Sequence, residues 1–395
     1  MNEHTSLRTE DFDYHLPEEQ IAQAPMEPRD ACKMLVLHRD EGRLEHRHFY
    51  DIIDYFEAGD LLVVNDTRVL PARLFGKRAD TGGAVEVLLL KELDKDTHTW
   101  ECLAKPGKRL REGAEIEFCE AAKSDKAELE QELAQHALRC KSSENGDVFR
   151  MRTVQDSPCS NSTSLVGKVI SVSDEGIRHI SFTATDGDFQ STLHRIGTLP
   201  LPPYIKDYAG DQEMYQTVYA GDNEHSAAAP TAGLHFTPEL LERIQAKGVG
   251  IARVRLDVGL DTFRPVSEDD PNLHHIHTEY FHVSQEAADA VNAANEAGRR
   301  VIAVGTTVVR ALESAAALTG SSTIDSQGAP TSLYILPGFE FQVVDALITN
   351  FHVPKSTLVM MISAFTGREE ILAAYEEAVR ENYRFLSFGD AMLIL

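Results

Sequence analysis

The sequence predicts an α/β protein with two domains: a layered α/β core domain, residues 1–68 and 197–395, and a small all-β barrel domain, residues 69–196, inserted into it. Two observations carry this. The C-terminal half alternates strand-like and helix-like periods, the pattern of a layered α/β core. From about Val69 to Ile196 the chain instead breaks into short apolar runs divided by glycine-containing turns, which is how a small barrel reads. At 395 residues there is enough chain for a large core and more than one domain.

In chain order, the barrel strands are expected at Val85 to Leu90, Trp100 to Ala104, Ile116 to Phe118, Val148 to Met151 and His179 to Phe182. A polar elaboration occupies residues 120–165, with helical character from Ala121 to Arg139 and a serine-rich loop from Asp156 to Ser164. Thr237 before Pro238 pairs a side-chain cap with a residue suited to the first helical position, starting a helix that runs to about Ala246. Val254, Leu256 and Val258 alternate with Arg253, Arg255 and Asp257, the period of a half-buried strand. Ser284 caps a helix through Ala297, and Gly298 stops it. A strand at Val301 to Val304, a turn at Gly305-Thr306-Thr307 and a helix from Val308 to about Leu318 follow. Strands at Leu333 to Leu336 and Leu347 to Thr349, helices at Leu358 to Phe365 and Glu369 to Glu381, and a strand at Met392 to Leu395 close the chain.

The apolar fraction is 42%, and no apolar run is long enough to span a bilayer. The polar stretch Met1 to Glu10 lacks the apolar core of an export signal. The five cysteines, Cys32, Cys102, Cys119, Cys140 and Cys159, are scattered and form no Cys-x-x-Cys pair, so they read as reduced thiols. These features suit a cytoplasmic protein without membrane contact, and a monomer is expected. A net charge of −25 opposes phosphate binding by the body as a whole. Between Asp66 and Arg111, however, ten Lys plus Arg face seven Asp plus Glu, a local excess of three positive charges.

The stretch Ser226-Ala-Ala-Ala-Pro-Thr-Ala-Gly-Leu-His-Phe236 is a run of tiny side chains ending in an imidazole. Small residues let a ligand approach the backbone, Gly233 frees the local dihedrals, and the helix start that follows offers donors to an anion. A tight turn around a core histidine is the competing reading. Asn65-Asp66-Thr67-Arg68-Val69 with Pro71-Ala72-Arg73, Thr198-Leu199-Pro200-Leu201-Pro202-Pro203-Tyr204-Ile205, and Gly305-Thr306-Thr307-Val308-Val309-Arg310 add further blocks. So do Asn350-Phe351-His352-Val353-Pro354-Lys355-Ser356-Thr357 and Gly389-Asp390-Ala391-Met392-Leu393. In this order they resemble the S-adenosylmethionine:tRNA ribosyltransferase-isomerase family of queuosine biosynthesis, from about Asp11 to the C-terminus.

The resemblance implies transfer of the ribosyl group of S-adenosylmethionine to a modified deazaguanine at the wobble position of tRNA, its isomerisation to an epoxycyclopentanediol, and release of adenine and methionine. S-adenosylmethionine is then a substrate, tRNA the partner, and neither a prosthetic group nor a metal is implied, since the sulfonium supplies the activation. Such chemistry needs positioning, proton transfer and exclusion of water.

His235 is the first candidate for proton transfer, with an imidazole whose ordinary pKa suits work near neutrality. His277 and Glu279, from His274-His275-Ile276-His277-Thr278-Glu279, join it, with His352 at an apparent strand end and Asp66 in the Asn65 to Val69 block. Ala232, Gly233, Thr306 and Thr307 are the turns expected to hold S-adenosylmethionine, with Arg310, Arg264 and Lys355 as anion anchors. Arg68, Lys105, Lys108, Arg109 and Arg111 are expected to meet tRNA, the last four around the basic turn Lys105-Pro106-Gly107-Lys108-Arg109. The family pattern Leu-His-Val-Gly-x-Gly-Thr-Phe reads Leu256-Asp257-Val258-Gly259-Leu260-Asp261-Thr262-Phe263 here, so Asp257 and Asp261 replace a histidine and a glycine. Two other functions compete: a metal-dependent hydrolase built on His274, His275 and His277, and a noncatalytic RNA-binding protein.

Overall fold

A computed structural model of the chain describes residues 7–120, 163–173, 176–206, 208, 210–222, 224–259 and 265–395. They group into two compact units, Met1–Val69 with Leu201–Leu395, and Leu70–Pro200. The first unit begins with β1 (Lys33–His38), β2 (Arg43–His48), β3 (Leu61–Asn65) and the short β4 (Arg68–Val69). The second contains β5 (Arg73–Arg78), β6 (Ala84–Asp94), β7 (Thr99–Lys105), β8 (Glu115–Phe118), β9 (Leu165–Val172), β10 (Arg178–Ala184) and helix α1 (Phe189–Ile196). Back in the first unit come β11 (Glu224–Ser226), α2 (Pro238–Ala246), β12 (Gly250–Asp257), β13 (Glu279–Val283), α3 (Gln285–Glu296) and β14 (Val301–Val304). The chain ends with α4 (Thr306–Thr319), β15 (Gln327–Thr331), β16 (Ala346–Asn350), α5 (Thr357–Thr366), α6 (Arg368–Arg380) and β17 (Ala391–Ile394).

The first unit is built on a nine-stranded mixed sheet in the order β15-β13-β12-β3-β14-β16-β17-β1-β2. Its centre, β12-β3-β14-β16, is parallel. Successive side chains of a strand point to opposite faces, and here both faces are covered. Leu61 and Val63 enter the apolar core on one side with Val301, Ala303 and the helices α3 to α6. Leu62 and Val64 enter the other with Ile302, Val304 and α2. That is why β3, β14 and β16 read as apolar runs, whereas β12, with Arg253 and Arg255, alternates. Two helices start where capping hydroxyls are expected, and a third has a cap of the same kind: Thr237, Ser284 and Ser356 accept from the amides of Leu240, Ala287 and Val359 at 3.1, 3.1 and 3.3 Å.

The second unit is a closed barrel of strand order β10-β7-β6-β5-β8-β9. Val85, Val87, Trp100, Ile116, Phe118 and Phe182 are among the side chains filling it, and α1 adds Phe189, Leu193 and Ile196. Alternating burial along β6 and β8 produces the inward face of a small barrel.

Several expectations need correction. Leu333 to Leu336 forms no strand; the edge strand is β15, whose Pro330 lies opposite Tyr280 of β13. Proline is tolerated only where a missing N–H leaves no ladder bond unmade, so an edge position hides from a strand search. The barrel strands β5 and β9 went unseen, since Arg73, Lys77, Arg78 and Lys168 break their apolar runs. Helix α4 begins at Thr306, two residues before the expected Val308. Val148 to Met151 and residues 121–162 of the polar elaboration lie outside the described residues.

Helix α4 is buried from Thr306 to Ala316, and its one carboxylate holds the approach to β16. Glu313 accepts the backbone amides of Gln342, Val343 and Val344 at 2.9, 3.1 and 3.0 Å. Removing the acceptor strands three amides, each costing about 1–3 kcal/mol if it stays dry. Glu313→Ala is therefore expected to lower unfolding stability by about 3 kcal/mol or more in denaturant titration, and Glu313→Gln by less. A Glu313→Ala variant as stable as the parent would contradict this account.

Candidate active site

The parallel strands β12, β3, β14 and β16 end at Asp257, Asn65, Val304 and Asn350. Beyond the last ladder bond their loops are free to face a ligand. A cleft of about 580 Å³, counting its open mouth, lies there and is lined by Ala232, Val258, Thr306, Thr307, Asn350 and His352 among others. Gly305 turns the chain from β14 into α4 with φ of +89°, a conformation costly for residues with a Cβ, and its amide donates to Ile348 O at 2.7 Å. Thr306 and Thr307 thus occupy the first helical positions, where backbone donors lack intrahelical partners. Asn65 holds this corner. Its Nδ2 donates to Leu256 O at 2.9 Å and to Thr307 Oγ1 at 3.3 Å, and its Oδ1 accepts the Leu256 and Thr67 amides.

His352 stands in the cleft wall with Nε2 3.2 Å from Thr349 Oγ1 and Nδ1 3.3 Å from the Tyr375 hydroxyl. Tyr14 donates to its carbonyl. Burial pushes its pKa down to about 3. His235 does not line this cleft. It sits in a small side pocket with Cys32, Arg29 and Ser387, its Nδ1 3.2 Å from the Cys32 thiol. Its Nε2 and the Asn350 Oδ1 are both buried without a hydrogen-bond partner. Burial lowers its pKa to about 4, with the Asn350 side chain acting in the opposite direction. The expectation that His235 keeps its ordinary pKa is therefore corrected: a ring shut away from water resists taking a charge.

A second cleft, about 510 Å³ with its mouth, shares Leu358 with the first. Arg310 and Glu279 line it, both deeply buried at 5% and 7% exposure. Arg310 Nη1 is paired with Glu279 Oε2, its Nε donates to Leu333 O at 3.2 Å, and its Nη2 has no partner. Glu279 Oε1 accepts the Gly259 amide at 2.8 Å. His274 and His277 are at this rim, His274 with Nδ1 2.9 Å from Glu268.

Other expected residues are placed differently. Gly233 avoids the left-handed region; it belongs to a 3-10 turn, Thr231–His235, where a Cβ would overlap the Tyr219 hydroxyl and the Thr217 methyl. The requirement is space rather than freedom. Lys355 lines neither cleft and pairs at 3.0 Å with both Glu10 and Asp13. Arg68 donates to Gly221 O and pairs with Glu213. Asp66 is half-buried, its carboxyl pKa raised by burial against the pull of Arg253 and Arg255, and lines neither cleft. Arg264 and Asp261 lie outside the described residues, and Asp257 accepts from Thr67 Oγ1 at 3.2 Å. Among the described residues, no group of three His, Cys, Asp or Glu is arranged to hold a metal, so the His274, His275 and His277 cluster does not converge. In the barrel, Lys105, Lys108, Arg109 and Arg111 are exposed, and Arg78, Lys108, Arg109 and Arg111 border one open depression. Arg178 fastens this turn by donating to Gly107 O at 2.5 Å.

The family model for queuosine biosynthesis proteins matches residues 9–394. The chain belongs to this family. It is 49% identical over 389 residues to the S-adenosylmethionine:tRNA ribosyltransferase-isomerase of Symbiobacterium thermophilum and 48% identical to that of Moorella thermoacetica, covering 98% of this chain and 100% of each relative. The crystal structure of S-adenosylmethionine tRNA ribosyltransferase from Thermotoga maritima is 35% identical, with a TM-score of 0.50 over 98% of this chain and 100% of that one. Four of the stretches quoted for the family resemblance line the first cleft, through Tyr204, Ala232, Thr306, Thr307, Asn350 and His352; the Asn65 to Arg73 block reaches it only by Asn65 on Thr307 Oγ1, and Gly389 to Leu393 lies outside its lining. Asn65, Asn350, Ser387 and Cys32 were passed over as site residues, although the first two stand inside quoted blocks; neutral amides and hydroxyls carry no titration signal to single them out.

The two buried histidines set a pH dependence. Their folded pKa values, about 4 for His235 and about 3 for His352, lie below the ordinary 6.5. From pH 6.5 downward the unfolded chain binds protons that the folded chain refuses, so stability is full above 6.5 and falls on acidification. Each ring contributes about 1.4 kcal/mol per pH unit within that window. His352→Gln is expected to flatten unfolding stability against pH between 6 and 4 by that amount. An unchanged slope would show that His352 takes up its proton in the folded state.

Proposed function

We propose that the chain transfers the ribosyl moiety of S-adenosylmethionine to 7-aminomethyl-7-deazaguanine at the tRNA wobble position and isomerises it, giving epoxyqueuosine-tRNA with release of adenine and methionine. The observation that carries this reading is the end-to-end kinship with ribosyltransferase-isomerases, joined to the meeting of four of the quoted stretches in one cleft. The protein works as a monomer in the cytoplasm, without a prosthetic group. Among the described residues, no helix is long and apolar enough to cross a membrane.

The first cleft receives the adenosyl part of S-adenosylmethionine. Its walls are small residues and threonines, which suit close approach of a nucleoside, and the unbonded amides at the start of α4 supply donors. His352, neutral at pH 7, acts as a hydrogen-bonding group in the wall rather than as a proton donor. His235 acts through Asn350, its polar neighbour in that wall. His277 and Glu279 serve the adjoining cleft, and Asp66 is a proton acceptor at the end of β3. The sulfonium is itself the electrophilic activator, so the side chains are left with positioning, proton transfer and exclusion of water. Incubation with S-adenosylmethionine and tRNA carrying the deazaguanine precursor is expected to release adenine and methionine and form the modified nucleoside, with no loss after exhaustive chelation. Loss on chelation with rescue by one metal would favour the hydrolase reading, and binding without turnover the noncatalytic one.

The exposed cations of the barrel turn contact the tRNA backbone. A patch of this kind reconciles an RNA substrate with a net charge of −25, because contact is local while the acidic remainder repels misplaced RNA. Each phosphate contact adds about 0.7–0.9 to the slope of log affinity against log salt. Lys108→Gln with Arg109→Gln is expected to weaken tRNA binding and flatten that slope by one to two such steps, leaving S-adenosylmethionine affinity unchanged. Retention of the parental slope would move the RNA site elsewhere.

A further inference from the structure

The second cleft is a separate feature of the first unit, and its chemistry is specific. One wall carries a guanidinium at 5% exposure whose Nη2 has no partner, a costly state for a buried charged group. The other two nitrogens are committed, Nη1 to Glu279 and Nε to Leu333 O, so the group is held in one orientation by strand β13 and the loop after β15. Thr357 and Leu358, the first two residues of the ten-residue helix α5, also line the cleft, adding the positive end of a helix. The Glu279 carboxylate borders the same space. The rest of the lining is mixed: Ile276, Leu333, Ile335 and Met361 form an apolar stretch, and His274, His277 and Tyr334 border it. A cation beside a carboxylate above an apolar wall complements one class of ligand: an α-amino acid head group with an unbranched apolar side chain.

We infer that the cleft between Arg310 and the start of α5 is the subsite for the methionyl part of S-adenosylmethionine, with Arg310 Nη2 receiving the α-carboxylate. The inference rests on the proposed use of S-adenosylmethionine and adds where its amino-acid end is held. Leu358 belongs to both clefts, so a ligand with its nucleoside in the first and its amino acid in the second would pass this side chain. Glu279 plays a double part: it fixes the guanidinium, and its charge favours the α-ammonium over a second carboxylate. A planar donor is required here, since a free nitrogen on a fork already pinned at two points presents a fixed direction to the ligand.

The test uses S-adenosylmethionine and its decarboxylated analogue, which keeps the adenosyl, sulfonium and amine groups and lacks only the carboxylate. Calorimetric titration of the unmodified chain is expected to give about 10- to 100-fold tighter binding of S-adenosylmethionine, the range for a hydrogen bond between charged groups. Arg310→Gln is expected to reduce this ratio to about 1, with Arg310→Lys between. Because Arg310→Gln leaves Glu279 buried without its cation, the double variant Arg310→Gln with Glu279→Gln is measured beside it. Equal binding of both ligands by the unmodified chain overturns the inference while leaving the proposed substrate in place. So does a preference that survives in either Gln variant. Binding of neither ligand by the unmodified chain overturns the proposed substrate and the inference with it.

Discussion

Burial of the parallel strands β3, β14 and β16 on both faces is the constraint on which the first unit depends. With apolar cores above and below these three strands, their polar side chains appear only toward the end of the ladder. At the carboxyl ends of these strands Asn65, Thr306, Thr307, Thr349, Asn350 and His352 all appear within a few residues of a final ladder bond. Their polar atoms are satisfied largely by one another and by strand-end backbone, as the four hydrogen bonds of Asn65 illustrate. The position of the cleft is thus a consequence of sheet packing before any ligand enters the account.

Electrostatically the two clefts are opposites. The first is walled by neutral groups, including the His352 imidazole that burial keeps uncharged. The second contains a full positive and a full negative charge side by side. In a low-dielectric setting a neutral wall tolerates a nucleoside, whereas an ion pair discriminates strongly between charged and uncharged ligand ends. That division suits a substrate with one uncharged end and one zwitterionic end.

The α/β class and the barrel were legible because their signals are local. The capping hydroxyls of Thr237 and Ser284, and the apolar runs of β14 and β16, report structure through contacts made within a few residues. Strand β15 was lost because its edge position, which alone permits Pro330, is a property of the sheet and absent from its own five residues. The site followed the same division. Thr306, Thr307, Ala232 and His352 were found from their place in turns and strand ends. His235 carried the strongest chemical signal, yet its ordinary pKa could not survive a burial set by Phe49, Cys32 and other residues distant in the chain. Arg310 was expected as a free anchor, and only the fold brings Glu279 to it.

Helix α4 is tied at three points by buried polar contacts: Arg310 to Glu279 of β13, Glu313 to the amides before β16, and Ser314 to Thr331 of β15 at 2.6 Å. Sliding the helix along its axis would break all three at once. Its first turn, which carries Thr306 and Thr307, is therefore a fixed datum in the cleft. Ala229, Pro230 and Ala232 border the same cleft and are themselves buried, so their short side chains leave the space that this datum bounds. A larger side chain at Ala232 would therefore narrow the cleft against a helix that cannot retreat from it.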